Sequence, residues 1–449
     1  MAHRRATIIK QAFLRANDAF VRRNMSARAT SSFHEVPAGP PDPMFVLKQE
    51  YDQDSTSYKV DIGAGVLRDE QGACYEFPVI RKAKSIIEKQ PLGHDYRPTT
   101  GITSFRHHAA RLMFGGDSKA IRNKQIASIQ TVAGTGACRI GAVFLKKHWP
   151  TTLSRQRNEA SATVHIGTPT WGNYEPLFWH AGFDKIKTYP YLDAMQNVAM
   201  TSTLNALRGA PDRSIFIFQG CCHNPTGRDY SQSEWGLIAD VMLSKGHFAF
   251  FDTAYQGLGL GIEEDAWAIR HFVAKGVDML VCQSFSKNAG LYSERVGALH
   301  VVCASADIAN NVLDQLRSLT RWEVSSAPAY GAELVNALLS DPTTEAQWKT
   351  ELAMVRGRMR RLREELHAQL TRRLATPSPR DGTIGGWDHL LQENGLFSFT
   401  GLSAAQSQIL VAQHHIYMPG NGRINISGLN AANTTRVAET FDTVIRGYT

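Results

Sequence analysis

The chain has 449 residues, 43% hydrophobic and 20% charged, an ordinary globular composition with room for two domains, or for one large α/β domain with an appendage. No apolar run approaches the roughly 18 residues needed to cross a bilayer, which excludes a transmembrane helix. The net charge of +8 collects at one end: residues 1–30 hold seven basic side chains against one acidic, a net +6, so only +2 falls on the other residues. So nearly neutral a body gives nucleic-acid binding no electrostatic basis.

In residues 1–30, Ile8, Ile9, Ala12, Phe13, Ala16 and Phe20 recur at helical spacing with arginines between them. An amphipathic, Arg-rich, acid-poor leader reads as a mitochondrial transit peptide, which would place the protein in the matrix. If it is a basic surface helix instead, the location is cytoplasmic. Pro37 to Pro43 cannot be helix interior and reads as an extended arm. From about residue 120 to 305 short runs of Ile, Val and Phe alternate with turn residues and helical periodicity, the βαβ pattern of a mostly parallel sheet. Near the C-terminus Leu352, Val355, Met359, Leu362, Leu366 and Leu370 step by three or four and predict one long amphipathic helix. Its arginines, Arg356 to Arg363, are expected on the outer faces. The six cysteines show no CxxC pair and no finger spacing, so free, mostly buried thiols and no metal are expected.

The chemistry collects behind the apolar runs. Ile126–Ile129 leads into Ala133-Gly134-Thr135-Gly136, and Thr163–Ile166 into Thr168-Pro169-Thr170-Trp171. Ile215–Phe218 leads into His223-Asn224-Pro225-Thr226-Gly227. Phe248–Phe251 ends at Asp252, with Tyr255 three residues on, and Met279–Cys282 leads into Ser284-Phe285-Ser286-Lys287. In a parallel sheet these residues share the carboxyl edge, where α/β proteins place ligands. Any one could be a plain loop; five in succession, each bringing a polar or aromatic group, point to a site. Small residues ahead of a helix at Ala133–Gly136 suit a phosphate, although the turn is not a dinucleotide fingerprint. Asp252 alone is as readily a helix N-cap as a buried functional carboxylate. Ser284-x-x-Lys287 also matches an acyl-enzyme serine motif, but the S-D-N and K-T-G partners occur nowhere in the chain.

Taken together, Asp252–Gly257, Gln283–Asn288, Glu294–Gly297, His223–Gly227 and Arg423-Ile-Asn are similar to the aspartate aminotransferase branch of the fold-type I pyridoxal-phosphate enzymes, from about Ser32 to Gly447. The resemblance implies an α/β fold whose large domain (78–354) holds a mostly parallel seven-stranded sheet between helices. A smaller α/β domain would come from both chain ends (44–77 and 355–449), preceded by an arm at 31–43. It implies pyridoxal 5'-phosphate held by Lys287 as a Schiff base, with Lys287 shuttling a proton. Asp252 would pair with the pyridine nitrogen, Tyr255 and Asn224 would bind the phenolic oxygen, and Trp171 would lie on the ring face. Ala133, Gly134, Thr135, Ser284 and Arg295 would hold the phosphate, with Tyr96 and Ser325 reaching it from a second subunit. Arg423, helped by Gly65, Asn224 and Trp171, would bind the substrate α-carboxylate. Arg321 of the second subunit would bind the distal one, so that a homodimer shares its sites. Four positions depart from the family's usual pattern: Ala133 begins the phosphate turn in place of Ser or Gly, Tyr174 and Gln219 stand where histidines usually support the aspartate, and Ser326 replaces an asparagine. The expected reaction is ping-pong transfer of the amino group of L-aspartate to 2-oxoglutarate. The alternatives are a broad aromatic/aspartate aminotransferase and a non-catalytic scaffold; the scaffold is disfavoured because Lys287, Asp252 and Tyr255 are all present.

Overall fold

The computed structural model describes residues 32–149 and 162–447; the expected transit peptide at 1–30 lies outside them. The chain divides into two compact units, Met1–Val46 and Leu47–Thr449. In the first, residues 36–42 carry no regular structure and a helix begins at Pro43.

The described strands are β1 (Val60–Asp61), β2 (Ile126–Val132), β3 (Val164–Thr168), β4 (Ile186–Pro190), β5 (Ile215–Gln219), β6 (Phe248–Thr253), β7 (Met279–Ser284), β8 (Val296–Val302), β9 (Phe397–Phe399), β10 (Ile416–Tyr417) and β11 (Arg423–Asn425). Seven make one sheet in the order β2-β8-β7-β6-β5-β3-β4. β8 runs against both its neighbours, and every other pairing in that sheet is parallel. The five expected runs are β2, β3, β5, β6 and β7; β4 and β8 complete the sheet.

The central strands are apolar on both faces because both faces are covered. Ile217, Phe250 and Leu280 pack with the Ala133–His148 and Ala306–Glu323 helices. Their neighbours Phe218, Phe251 and Val281 point the other way, onto the Thr103–Phe114, Gln232–Ser244 and Trp267–Lys275 helices. Each such side chain contributes about 1.5–3 kcal/mol of burial. Register aligns the strand ends: Gln219 stands opposite Asp252, and Asp252 opposite Cys282. Residues that follow therefore emerge along one edge.

Two short pairings join distant segments, β1 with β10 in parallel and β9 with β11 antiparallel. Beside them the Pro342–Ala368 helix buries Leu352, Val355, Met359, Leu362 and Leu366. Leu370 falls in the π-helical turn Gln369–Arg373. The arginines of this helix correct the expectation. Arg360 points outward, but Arg363 is buried and donates to Glu393 at 3.0 Å and to the Phe397 carbonyl at 2.7 Å. A buried carboxylate 30 residues on draws it inward, which periodicity alone could not reveal. All six cysteines are free, and all but Cys74 are buried. Cys222 adopts φ 52°, so its thiol and that of Cys221 converge where an extended chain would separate them.

Candidate active site

The strand ends surround a cavity of about 160 Å³ lined by Gly65, Ala133, Gly134, Thr135, Trp171, Asn224, Asp252, Tyr255, Ser284, Lys287 and Arg295. Lys287 stands in the turn after β7, its Nζ 5.1 Å from the Tyr255 ring centroid. Burial lowers the pKa of its amine; Asp252 opposes that shift, and Arg295 and Arg423 reinforce it. A lysine relieved of its proton has a lone pair free for covalent chemistry. Asp252 is a strand residue, the fifth of β6, and not a helix cap. Burial raises its pKa, while a hydrogen bond from Tyr174 and the charge of Lys287 pull it down. A cation at this carboxylate would favour its ionised form further. Burial pushes the Tyr255 phenol far up, so it stays protonated and able to donate.

The other end of the cavity suits an anion. The Ala133–His148 helix opens on it, and no side chain caps its first turn, which leaves backbone N–H groups directed at the cavity. Ala133 and Arg295 both hold left-handed backbone, φ 59° and 50°, and the Ala133 N–H donates to the Arg295 carbonyl at 2.9 Å. Such strain concentrates where geometry must be held for function. A Cβ on Gly134 would stand 3.0 Å from the Ser284 Cβ, so glycine lets the helix start press against that hydroxyl. Backbone N–H groups, two hydroxyls and a guanidinium make a phosphate cradle. With an amine for an aldehyde and a carboxylate for a pyridine nitrogen, the donor set fits pyridoxal phosphate from end to end.

Arg423 begins β11. It donates to the Gly63 carbonyl at 2.7 Å and to Asn224 Oδ1 at 3.4 Å, and its guanidinium lies 4.3 Å from the Phe397 ring centroid. Its fork is therefore oriented beside Gly65 and Asn224. Tyr96, Arg321 and Ser325 do not line this chain's cavity. Tyr96 is 87% exposed, and Arg321 donates to Ser325 Oγ at 2.6 Å at the exposed end of its helix. Sequence reasoning named Ser286 only as part of the turn that carries Lys287, gave no role to Ala254 or Tyr292, which also line the cavity, and missed Phe397 as the platform under Arg423. Ser286 and Tyr292 lie near Lys287 in sequence, a usable signal; Phe397 gives none. Cys221, Cys222 and Asp265 bring possible metal ligands within 4.8 Å of one another. The Asp265 carboxylate, however, already accepts the N–H groups of Gly257, Gly259 and Leu260 at 2.8–3.0 Å and so staples a loop.

Residues 57–441 match the family described as aminotransferase class I and II. The chain is 39% identical to the cytoplasmic aspartate aminotransferase of Gallus gallus, covering 92% of this chain and 98% of that one. It is 37% identical to the mitochondrial aspartate aminotransferase of Schizosaccharomyces pombe, over 94% and 92%. Among solved structures, an aromatic amino acid aminotransferase from Burkholderia cenocepacia J2315 superposes with TM-score 0.85 at 33% identity, over 93% of this chain and 100% of that chain. Fold, cavity and these likenesses agree: the chain belongs to the aminotransferase class I and II family.

Proposed function

We propose that this protein transfers the amino group of L-aspartate to 2-oxoglutarate, giving oxaloacetate and L-glutamate. The observation that carries the reading is one cavity in which the Lys287 amine, the Asp252 carboxylate and the Tyr255 phenol meet, with the Arg423 fork at its edge. The names of the curated relatives favour aspartate as the donor. The aromatic neighbour keeps tyrosine and phenylalanine as the second reading.

Pyridoxal phosphate, when bound, supplies an aldehyde that condenses with amines and a ring that accepts the electron pair left by the α-proton. The chain's own residues do the rest. Asp252 would hold positive charge at the ring nitrogen, which would keep the ring electron-poor. Tyr255 and Asn224 would hydrogen-bond the phenolic oxygen, and Trp171 would lie against the ring. Arg423 grips the α-carboxylate as a planar fork and turns the α-hydrogen toward Lys287. Lys287 Nζ, buried and with its pKa lowered, would take the α-proton and return it to the carbon on the far side of the amino nitrogen, the one the cofactor's aldehyde contributes.

Three residues await a second copy of the chain in this reading. Tyr96, Ser325 and Arg321 would complete the neighbour's site, the arginine binding the distal carboxylate of a dicarboxylic substrate. The two ends of the chain, 44–77 and 355–449, would form a smaller domain over the sheet edge. Residues 1–30 would act as a matrix-targeting leader, for which their composition is the support.

The test is turnover of the full chain with pyridoxal phosphate and 2-oxoglutarate, comparing L-aspartate with L-tyrosine as donor. Oxaloacetate should form from aspartate with the higher kcat/KM. A higher value for tyrosine would favour the aromatic reading, and no turnover with either donor would refute both.

A further inference from the structure

Two side chains, Tyr174 behind the cavity wall and Gln219 in it, each hold two parts of the site. Tyr174, 1% exposed, donates its hydroxyl to Asp252 Oδ2 at 2.7 Å. Its ring meets the Trp171 ring edge-on, 5.2 Å between centroids at 86°. Gln219 closes on the main chain of Asn224 from both ends of its amide: Oε1 accepts the Asn224 N–H at 2.8 Å and Nε2 donates to the Asn224 carbonyl at 2.9 Å. The same Nε2 reaches Thr170 Oγ1 at 3.3 Å, in the loop that carries Trp171. One tyrosine thus fixes a carboxylate and an indole, and one glutamine fixes the turn that presents Asn224.

We propose that Tyr174 and Gln219 are positioning residues that hold Asp252 and Asn224 through contacts free of imidazole, so the hydrogen bond that holds Asp252 is unchanged from about pH 5 to pH 8. The proposal rests on Asp252 facing the ring nitrogen, as read above. It needs the absence of any titration among the groups that act on Asp252 in that interval. The groups that act on Asp252 are Tyr174, Cys138 on the Ala133–His148 helix, Cys221 after β5, Cys282 on β7, and Tyr255 and Lys287 in the turns after β6 and β7. The two tyrosines and Cys282 are pushed up by burial, Cys138 by its contact with Cys282 and then by burial, and Cys221, lowered by its contact with Cys222 and raised by burial, ends at about 12, so none of these ionises there. Lys287 is the cofactor's own attachment. Beside Asn224, Arg423 stays charged, His223 is stacked on Tyr191 with its Nδ1 2.9 Å from Thr226 Oγ1, and Asp229, which accepts the Cys222 and His223 N–H groups at 2.9 and 3.0 Å, is raised by burial to about 6, so it is the group of this turn that changes charge in the interval. Burial takes the His223 imidazole down to about 3, so it is neutral throughout. A carboxylate that loses a buried hydrogen-bond donor is less well held, and the cation paired with it is bound more loosely.

The test compares dissociation constants for pyridoxal phosphate, by equilibrium dialysis of the full chain and its variants at about pH 5, 6.5 and 8. The ratio of variant to parent cancels the cofactor's own ionisation. Tyr174→Phe should weaken binding about tenfold, as should Gln219→Leu with Tyr174 intact. Tyr174→His should give a ratio that changes across the interval, because an imidazole now titrates against Asp252. The nuclear resonance of a nitrogen-15 label in the bound pyridine ring should stay fixed in the parent over that interval and move in Tyr174→His. Tyr174→Phe and Gln219→Leu binding as tightly as the parent, or a parent resonance that itself titrates, would overturn the proposal alone. A parent that retains no pyridoxal phosphate would overturn the reading of the site and this proposal with it.

Discussion

Lys287 is useful because its surroundings work against its charge. Burial and two nearby guanidinium groups lower its pKa, while Asp252 keeps an anion in reach. Arg423 does the opposite work: it remains a cation, held by Gly63, Asn224 and the Phe397 ring so that its plane is set before substrate arrives. Arg423→Lys keeps the charge and loses the fork. Steady-state kinetics should show KM for L-aspartate raised about 10- to 100-fold with a smaller fall in kcat. An unchanged KM would remove Arg423 from the substrate's side of the cavity. At this scale the sequence was informative but not sufficient. Lys287 read alone carried a Ser-x-x-Lys context that pointed to acyl-enzyme chemistry. Tyr174 and Gln219 were placed beside the aspartate by the resemblance alone, because Tyr174 meets Asp252 across 78 positions, a contact that no local pattern encodes, and the hold of Gln219 on the Asn224 main chain was not foreseen.

The elements place these residues by register. Because Gln219, Asp252 and Cys282 are paired neighbours on β5, β6 and β7, their trailing turns arrive together, and alternation of apolar side chains holds the strands between two helical layers. The five runs with a clear change of pattern behind them were legible in the sequence. β4 and β8 carry no functional turn to mark them, and two-residue pairings such as β1 with β10 depend on partners at the far end of the chain. The buried cluster of Arg363, Arg380 and Glu393 was equally hidden, since a helical arginine is ordinarily solvated. It matters to the site. Arg363 binds the carbonyls of Gly395 and Phe397, which keeps β9 beneath Arg423. Gly227, at φ 66°, packs so closely on β9 that a Cβ would lie 2.5 Å from the Phe397 carbonyl oxygen, tying the Asn224 turn to the same strand. Arg363→Met leaves Glu393 with one partner instead of two. Denaturant unfolding at neutral pH should show a loss of about 3 kcal/mol, the lower end for breaking a buried pair. A loss below about 1 kcal/mol, within the range of exposed pairs, would mean the cluster does not hold β9.

The whole molecule brings its chemistry to one edge of one sheet. Its charge is nearly balanced outside residues 1–30, so a long-range field contributes little to drawing in charged substrates. Among the described residues no helix is long and apolar enough to cross a membrane. The exposed positions of Tyr96 and Arg321 are what a site shared between two copies would need. The proposed chemistry depends above all on Lys287 being the residue that takes the cofactor. Pyridoxal phosphate should be bound to the full chain, the linkage made permanent with borohydride, and the protein digested and mapped by mass spectrometry. The label is predicted on the peptide containing Lys287, in proportion to the protein present. A label on any other lysine, or none at all, would contradict the account.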